Sequence, residues 1–281
     1  MNLSGKYCLV TGASSGLGLA VSKLLAEKGA HTILMCRDKM KGENTLKEIK
    51  AITPHASLNL MICDLASINS IRNFIKEFKE KYTSLDVLFN NAAVMKQKRT
   101  VTADGFEMMF QVNYLAPFIL TNEFIDLLKN SASPFIINLA RPEYKVKLDM
   151  DDLQFSKKYK MWNSFFVTKL YLLLAGLEFS RRYEKDGITV SMIDPASRPF
   201  KSELGRDIPL VGWFKNLFSA PVDEAAENIL FHIASDEMKK KNGKLFRGKQ
   251  KWSLSDYWED TNISQHLWSV TESLINNNEH T

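Results

Sequence analysis

Hydrophobic positions along the chain fall into two alternating rhythms. Compact apolar runs at 7–10, 30–36, 57–63, 85–89, 133–139, 188–193 and 244–246 have the length and unbroken hydrophobicity of strands buried on both faces. Between them, apolar residues recur at helical spacing over 19–28, 41–52, 67–81, 104–114, 117–130, 162–185 and 223–235. The stretch 67–81 is the clearest, because Ile68, Ile71, Phe74, Ile75 and Phe78 would line one side of a helix. Thr53-Pro54 and Gly187 end two of these helices. This alternation predicts an α/β fold with about seven parallel strands and helices on both faces, in a single domain over 1–281. The polar tail 276–281 reads as frayed.

The first strand-to-helix junction carries a candidate chemistry. It is Thr11-Gly12-Ala13-Ser14-Ser15-Gly16-Leu17-Gly18. Gly12 permits a sharp turn, Gly16 lets backbone N–H groups approach a pyrophosphate, and Gly18 lets the helix pack close to the sheet. Ser14, Ser15 and Leu17 share the loop, and the positive end of the following helix faces the anion. These residues are candidates for holding a dinucleotide; a plain Gly/Ser turn is the alternative reading.

One segment breaks the rhythm. Residues 196–220 are punctuated by proline yet carry Leu210, Val211, Trp213, Phe214, Leu217 and Phe218. A loop of that length reads as a substrate lid. Contact of its apolar cluster with a membrane surface through 210–218, or a roof over the core, are the lesser alternatives.

Composition narrows the classes. The net charge of +5 is spread over scattered lysines, so nothing indicates a nucleic-acid partner. Cys8, Cys36 and Cys63 lack metal-ligand spacing, so no metal is expected, and their odd number favours free thiols in a reducing, cytoplasmic compartment. No signal peptide precedes the first strand, and no apolar run approaches the roughly 18 residues of a membrane span. Whether the chain forms a homo-oligomer stays open.

Several motifs stand in an order that resembles the short-chain dehydrogenase/reductase family, from Gly5 to about Leu274. They are residues 11–18, Cys36-Arg37-Asp38, Asp64-Leu65, Thr102-Ala103-Asp104-Gly105-Phe106-Glu107 and Leu267-Trp268-Ser269-Val270-Thr271-Glu272. The branch with retinol dehydrogenases and light-dependent protochlorophyllide reductases is the most similar. The resemblance implies a doubly wound, Rossmann-type sheet and a nicotinamide dinucleotide. It also assigns roles by position. Asp64, with Leu65 beside it, would take the adenine amino group, and Asn90-Asn91 would close the fourth strand beside the cofactor. Asn113 would hold a relay water, Lys169 would bond the nicotinamide ribose, and Pro195 would begin the loop behind the nicotinamide ring. An NAD site ends the second strand on a carboxylate for the ribose 2′-hydroxyl. Here Cys36 holds that place and Arg37 follows, able to fork onto a 2′-phosphate, while Asp38 lies one position too late. NADP(H) is therefore the expected cofactor.

The catalytic positions depart from that family. Its acid is a tyrosine four residues before the lysine, and here that position is Phe165, followed by Phe166. Its orienting serine on the loop after the fifth strand is replaced by Ala140-Arg141. The glycine usual after Pro195 is Ala196. Losing a general acid costs about 10²–10⁴ in rate. Arg141 could polarise a carbonyl but, with a pKa above about 12, donates protons poorly; Tyr144 and Tyr159 are the nearest spare phenols. Three readings result: an NADP(H)-binding protein with ordinary redox lost or strongly weakened, an oxidoreductase on an apolar small molecule with a rebuilt proton path, or a non-redox cyclase or isomerase in the same pocket.

Overall fold

The computed structural model describes residues 2–140, 148–195, 222–254, 258 and 260–278. Its eight strands are β1 (Tyr7–Thr11), β2 (His31–Cys36), β3 (Leu58–Ile62), β4 (Val87–Asn90), β5 (Phe135–Leu139), β6 (Thr189–Asp194), β7 (Lys244–Arg247) and β8 (Gln250–Trp252). They form one sheet in the order β3-β2-β1-β4-β5-β6-β7-β8. The chain steps outward from β1 to β3 and then crosses back, so β1 pairs in parallel with both β2 and β4. The direction of winding therefore reverses between β1 and β4. In such sheets the crevice at the carboxyl ends of the strands flanking this reversal is where ligands bind.

The period of two along each strand builds two cores. On β1, Leu9 packs into one hydrophobic layer while Cys8 and Val10 pack into the other. The Cys8 and Val10 layer is covered by α1 (Gly16–Glu27), α2 (Lys39–Ile52) and α8 (Val222–Ala234), through Val21, Leu25, Ile49, Ile229 and Ile233. The Leu9 layer is covered by α3 (Ile68–Lys81), α5 (Ala116–Glu123), α6 (Ile125–Lys129) and α7 (Met161–Arg182). The five apolar residues expected on one side of α3 are its buried residues. All three cysteines are buried free thiols. Among the described residues, no helix is long and apolar enough to cross a membrane.

Four features differ from the sequence expectation. Helix α1 begins at Gly16 rather than Leu19, so the last two loop glycines lie in its first turn. The helix expected from Asp104 begins at α4 (Met108–Phe110), because residues 101–107 fold into a turn closed by a Val101–Glu107 bridge and the Glu107 carboxylate caps Phe110 N at 2.7 Å. An eighth strand returns antiparallel to β7, with Leu245 opposite Trp252, across a turn where Gly248 has φ +56°. Helix α9 (Thr261–Asn278) then packs along α7, burying Leu267, Trp268 and Thr271, so it carries part of the tail expected to fray. There the Tyr114 and Thr271 hydroxyls lie 2.5 Å apart, and the Arg182 guanidinium lies 4.1 Å over the Trp268 ring. The expected lid 196–220, with the membrane contact assigned to 210–218, lies outside the described residues.

Candidate active site

The glycine turn is held in shape from β4. Thr11 Oγ accepts hydrogen bonds from Asn91 N and Ala92 N, each at 3.0 Å, and Asn91 Nδ2 donates to the Thr11 carbonyl at 2.7 Å. Gly12 turns with φ +67° and Gly16 with φ +52°. A β-carbon on Gly18 would lie 2.3 Å from the Gly12 carbonyl oxygen and 2.5 Å from Asn91 Nδ2, so only glycine lets α1 start this close to the turn. Ser15 stands at the N-cap in an extended conformation and makes no side-chain cap. The first-turn N–H groups of α1 thus receive no cap from it, and together with the helix dipole they suit an anion.

The next two strand ends flank this turn. Burial pushes the Cys36 thiol up to about 11, against the pull of the Ser14 hydroxyl and the Ala13 N–H on its sulfur. Arg37 is exposed. Asp38, two positions past the end of β2, caps α2 by accepting from Lys41 N at 3.0 Å. Asp64 is half-buried and turns one oxygen to Ala66 N at 3.0 Å, while the Leu65 side chain packs into the core. Pro195 is buried behind β6, and its carbonyl accepts from Asn228 Nδ2 at 3.0 Å.

The second half of the site gathers at the start of α7. Asn113 sits in a π-turn, Gln111–Leu115, a distortion frequent at functional positions. Its Oδ1 accepts from Val94 N at 2.7 Å, and its Nδ2 donates to Val94 O at 2.9 Å and to Thr168 Oγ at 3.1 Å. Thr168 in turn donates to the Phe165 carbonyl at 2.8 Å. One helical turn separates Phe165 from Lys169 on the same face of α7. The Phe165 ring is buried with Met95 and Met109, and Ala93, Val94, Tyr159, Met161 and Phe166 pack against them. Lys169 is buried with no hydrogen-bond partner among the described residues, and this desolvation lowers its ammonium to about 8. Tyr159 donates its hydroxyl to the Lys96 carbonyl at 2.6 Å, and burial pushes its phenol up to about 12. Ala140 is buried, its N–H bonded to the Ile193 carbonyl, whereas Arg141 and Tyr144 lie outside the described residues.

This geometry can be set beside known proteins. The model of the family described as short chain dehydrogenase matches residues 6–143. Retinol dehydrogenase 13 of Homo sapiens is 34% identical over 97% of this chain and 85% of its own length. The chain belongs to the short-chain dehydrogenase family. Retinol dehydrogenase 11 of Mus musculus is 33% identical over 98% of this chain and 88% of its own. Among solved structures, an angucycline C-6 ketoreductase crystallised with bound NADP superposes with a TM-score of 0.70, at 23% identity over 88% of this chain and 95% of that one. A short-chain dehydrogenase from Burkholderia cenocepacia in complex with NADP gives 0.69, at 20% identity over 88% and 97%.

In this member of the family most of the expected residues fall into two groups. Gly12, Ser14 and Ser15 form the turn after β1, Gly16, Leu17 and Gly18 open α1, Asn91 bonds to the turn from the end of β4, and Arg37 and Asp64 stand just past β2 and β3. Asn113 holds Val94 and reaches Phe165 through Thr168, and Lys169 follows Phe165 by one turn of α7. Thr11 and Thr168 were not expected to take part. Each is a threonine directly beside a residue of the site, and its hydroxyl is the strap that joins two segments.

Proposed function

We propose that this chain binds NADP(H) in the turn between β1 and α1, and that its turnover of ordinary carbonyls and alcohols is strongly weakened. The glycine turn fits such a group: a β-carbon is excluded at Gly18, and Ser15 leaves the first turn of α1 without a side-chain cap. Arg37 supports the phosphorylated cofactor, since it has no ion-pair partner among the described residues while Asp38 is committed to capping α2. A nicotinamide bound there would supply hydride-transfer chemistry. Asp64 would meet the adenine end, Lys169 would hold the ribose, Pro195 would back the ring, and Asn113 would keep the Val94 loop fixed against α7.

The observation that carries the weakened chemistry is Phe165. Its ring fills a methionine-lined cluster one turn before the buried Lys169, where a phenol would have to stand to give up a proton. Tyr159 does not replace it, being bonded to the Lys96 carbonyl with its proton held more tightly than in water. Arg141, always charged, could steer a carbonyl oxygen but not protonate it. The substrate or ligand class is an apolar small molecule, matching Met95, Met109, Phe165 and Phe166, and the compartment is the cytoplasm, matching three buried free thiols.

Titration by energy transfer from protein tryptophan to reduced nicotinamide tests the cofactor. NADPH should bind more tightly than NADH, and Arg37→Ala should weaken NADPH about 10-fold, roughly 1.4 kcal/mol, with NADH unchanged. Equal affinities that ignore Arg37 would remove the 2′-phosphate assignment.

A further inference from the structure

Lys169 is an unusual amine for a protein interior. It is 6% exposed, it has no hydrogen-bond partner among the described residues, and it follows by one helical turn a buried phenylalanine rather than a hydroxyl. Leaving a cation so placed is costly, and a buried amine in apolar surroundings answers by spending more of its time neutral. A neutral lysine is a nucleophile toward carbonyl carbon. Phe165, one turn before Lys169 on the same face of α7, belongs to a cluster with Met95 and Met109, edged by Val94 and Phe166, of the chemistry that draws in an apolar chain.

We infer that Lys169 forms a reversible imine with apolar aldehydes, its ε-amine reacting beside the Met95–Met109–Phe165 cluster. The inference rests on the site proposed above, in which Lys169 is the ribose ligand, so dinucleotide and aldehyde compete for one amine. The ammonium first loses a proton. The nitrogen lone pair then attacks the aldehyde carbon, and the carbonyl oxygen takes up the released proton to give a carbinolamine. Expulsion of that oxygen as water, with a second proton from the nitrogen, leaves a protonated C=N bond. One ammonium and one aldehyde thus become one iminium and one water, with no oxidant or reductant consumed.

With its ammonium lowered from 10.5 to about 8 by burial, Lys169 is neutral far more often at pH 7 than an ordinary lysine. That sets the test. The full-length, cofactor-free protein is incubated with decanal and sodium cyanoborohydride at pH 7, then digested and mapped by mass spectrometry. The decyl adduct on Lys169 should form at least about 10-fold faster than on exposed lysines such as Lys39, Lys98 and Lys157. Saturating NADP⁺ should suppress it at Lys169 and leave the surface lysines unaffected. Lys169→Arg, which keeps the charge and removes the nucleophile, should abolish the fast adduct while retaining the native circular dichroism spectrum. Labelling of Lys169 no faster than the surface, in protein that still binds NADPH, would overturn the imine and leave the cofactor site standing. Fast labelling with no NADPH binding would leave the imine and remove the cofactor site. If Lys169→Arg does not fold, the native protein's own ratio of Lys169 to surface labelling decides.

Discussion

The β1–α1 turn and the start of α7 lie in one fold and have been treated differently. Around the turn every constraint is met: Gly18 leaves no room for a β-carbon, Asn91 pins the Thr11 carbonyl, and Asp38 is drawn away to cap α2. Around Phe165 the scaffold is equally well made, with Asn113, Thr168 and Val94 locked together, yet the side chain one turn before Lys169 is a phenyl ring without a hydroxyl. Under the proposed function, binding geometry is kept where the reactive group is absent, because the two depend on different residues. The turn is specified by backbone sterics that tolerate almost no substitution. The reactive position is a single side chain whose replacement by a ring of the same shape leaves packing undisturbed.

The strongest way to break the comparison is at the turn. Gly18→Ala puts a methyl against backbone that has nowhere to move. It should cost on the order of 3 kcal/mol of stability and abolish measurable NADPH binding. Urea unfolding alongside the cofactor titration checks both, and a variant that binds normally would show that the turn is looser than drawn.

Lys169 gives an effect of similar size and opposite sign. Its ammonium falls from 10.5 to about 8 on burial, so between these values the unfolded chain holds more protons than the folded one. Stability attributable to this residue is then lowest below pH 8 and rises as pH climbs toward 10.5. Lys169→Met should be more stable than the native protein at pH 7, by up to about 3 kcal/mol. That advantage should shrink steadily between pH 8 and 10.5. A constant difference across this range, in paired urea titrations, would mean that the lysine stays hydrated in the fold.

The smallest effect sharpens the cofactor assignment. Asp38→Ala removes the α2 cap, 3.0 Å from Lys41 N, and should cost about 1 kcal/mol. The ratio of NADPH to NADH affinity should not move. A shift in that ratio, read from the same fluorescence titration, would show that the carboxylate reaches the ribose after all.

Much of this was legible in the chain. The glycine turn, the strand runs and the Phe165-to-Lys169 spacing are local signals, and the side chains on α3 repeat at the spacing its burial requires. What escaped was written in long-range pairing. Gln250-Lys251-Trp252 is too polar to read as a strand and becomes one because its backbone completes β7. Helix α9 mixes polar and apolar residues and is defined by the side of it that meets α7, where Trp268 lies against Phe118 and Phe179. The straps at Thr11 and Thr168 join residues roughly 80 and 55 positions apart, and no periodicity encodes such a bond.

The central claim is that binding is intact and the proton donor is missing. It is tested most directly by restoring the donor. Steady-state reduction of an apolar aldehyde should be measured at saturating NADPH for the native protein, for Phe165→Tyr, and for Phe165→Tyr combined with Arg141→Ser. A phenol one turn before Lys169 should gain about 10-fold in kcat, and the double variant, freed of the guanidinium, about 10²-fold. NADPH affinity should stay the same throughout. If the double variant binds NADPH as the native protein does and reduces nothing faster, Phe165 is not a lost acid, and the account of this site is wrong.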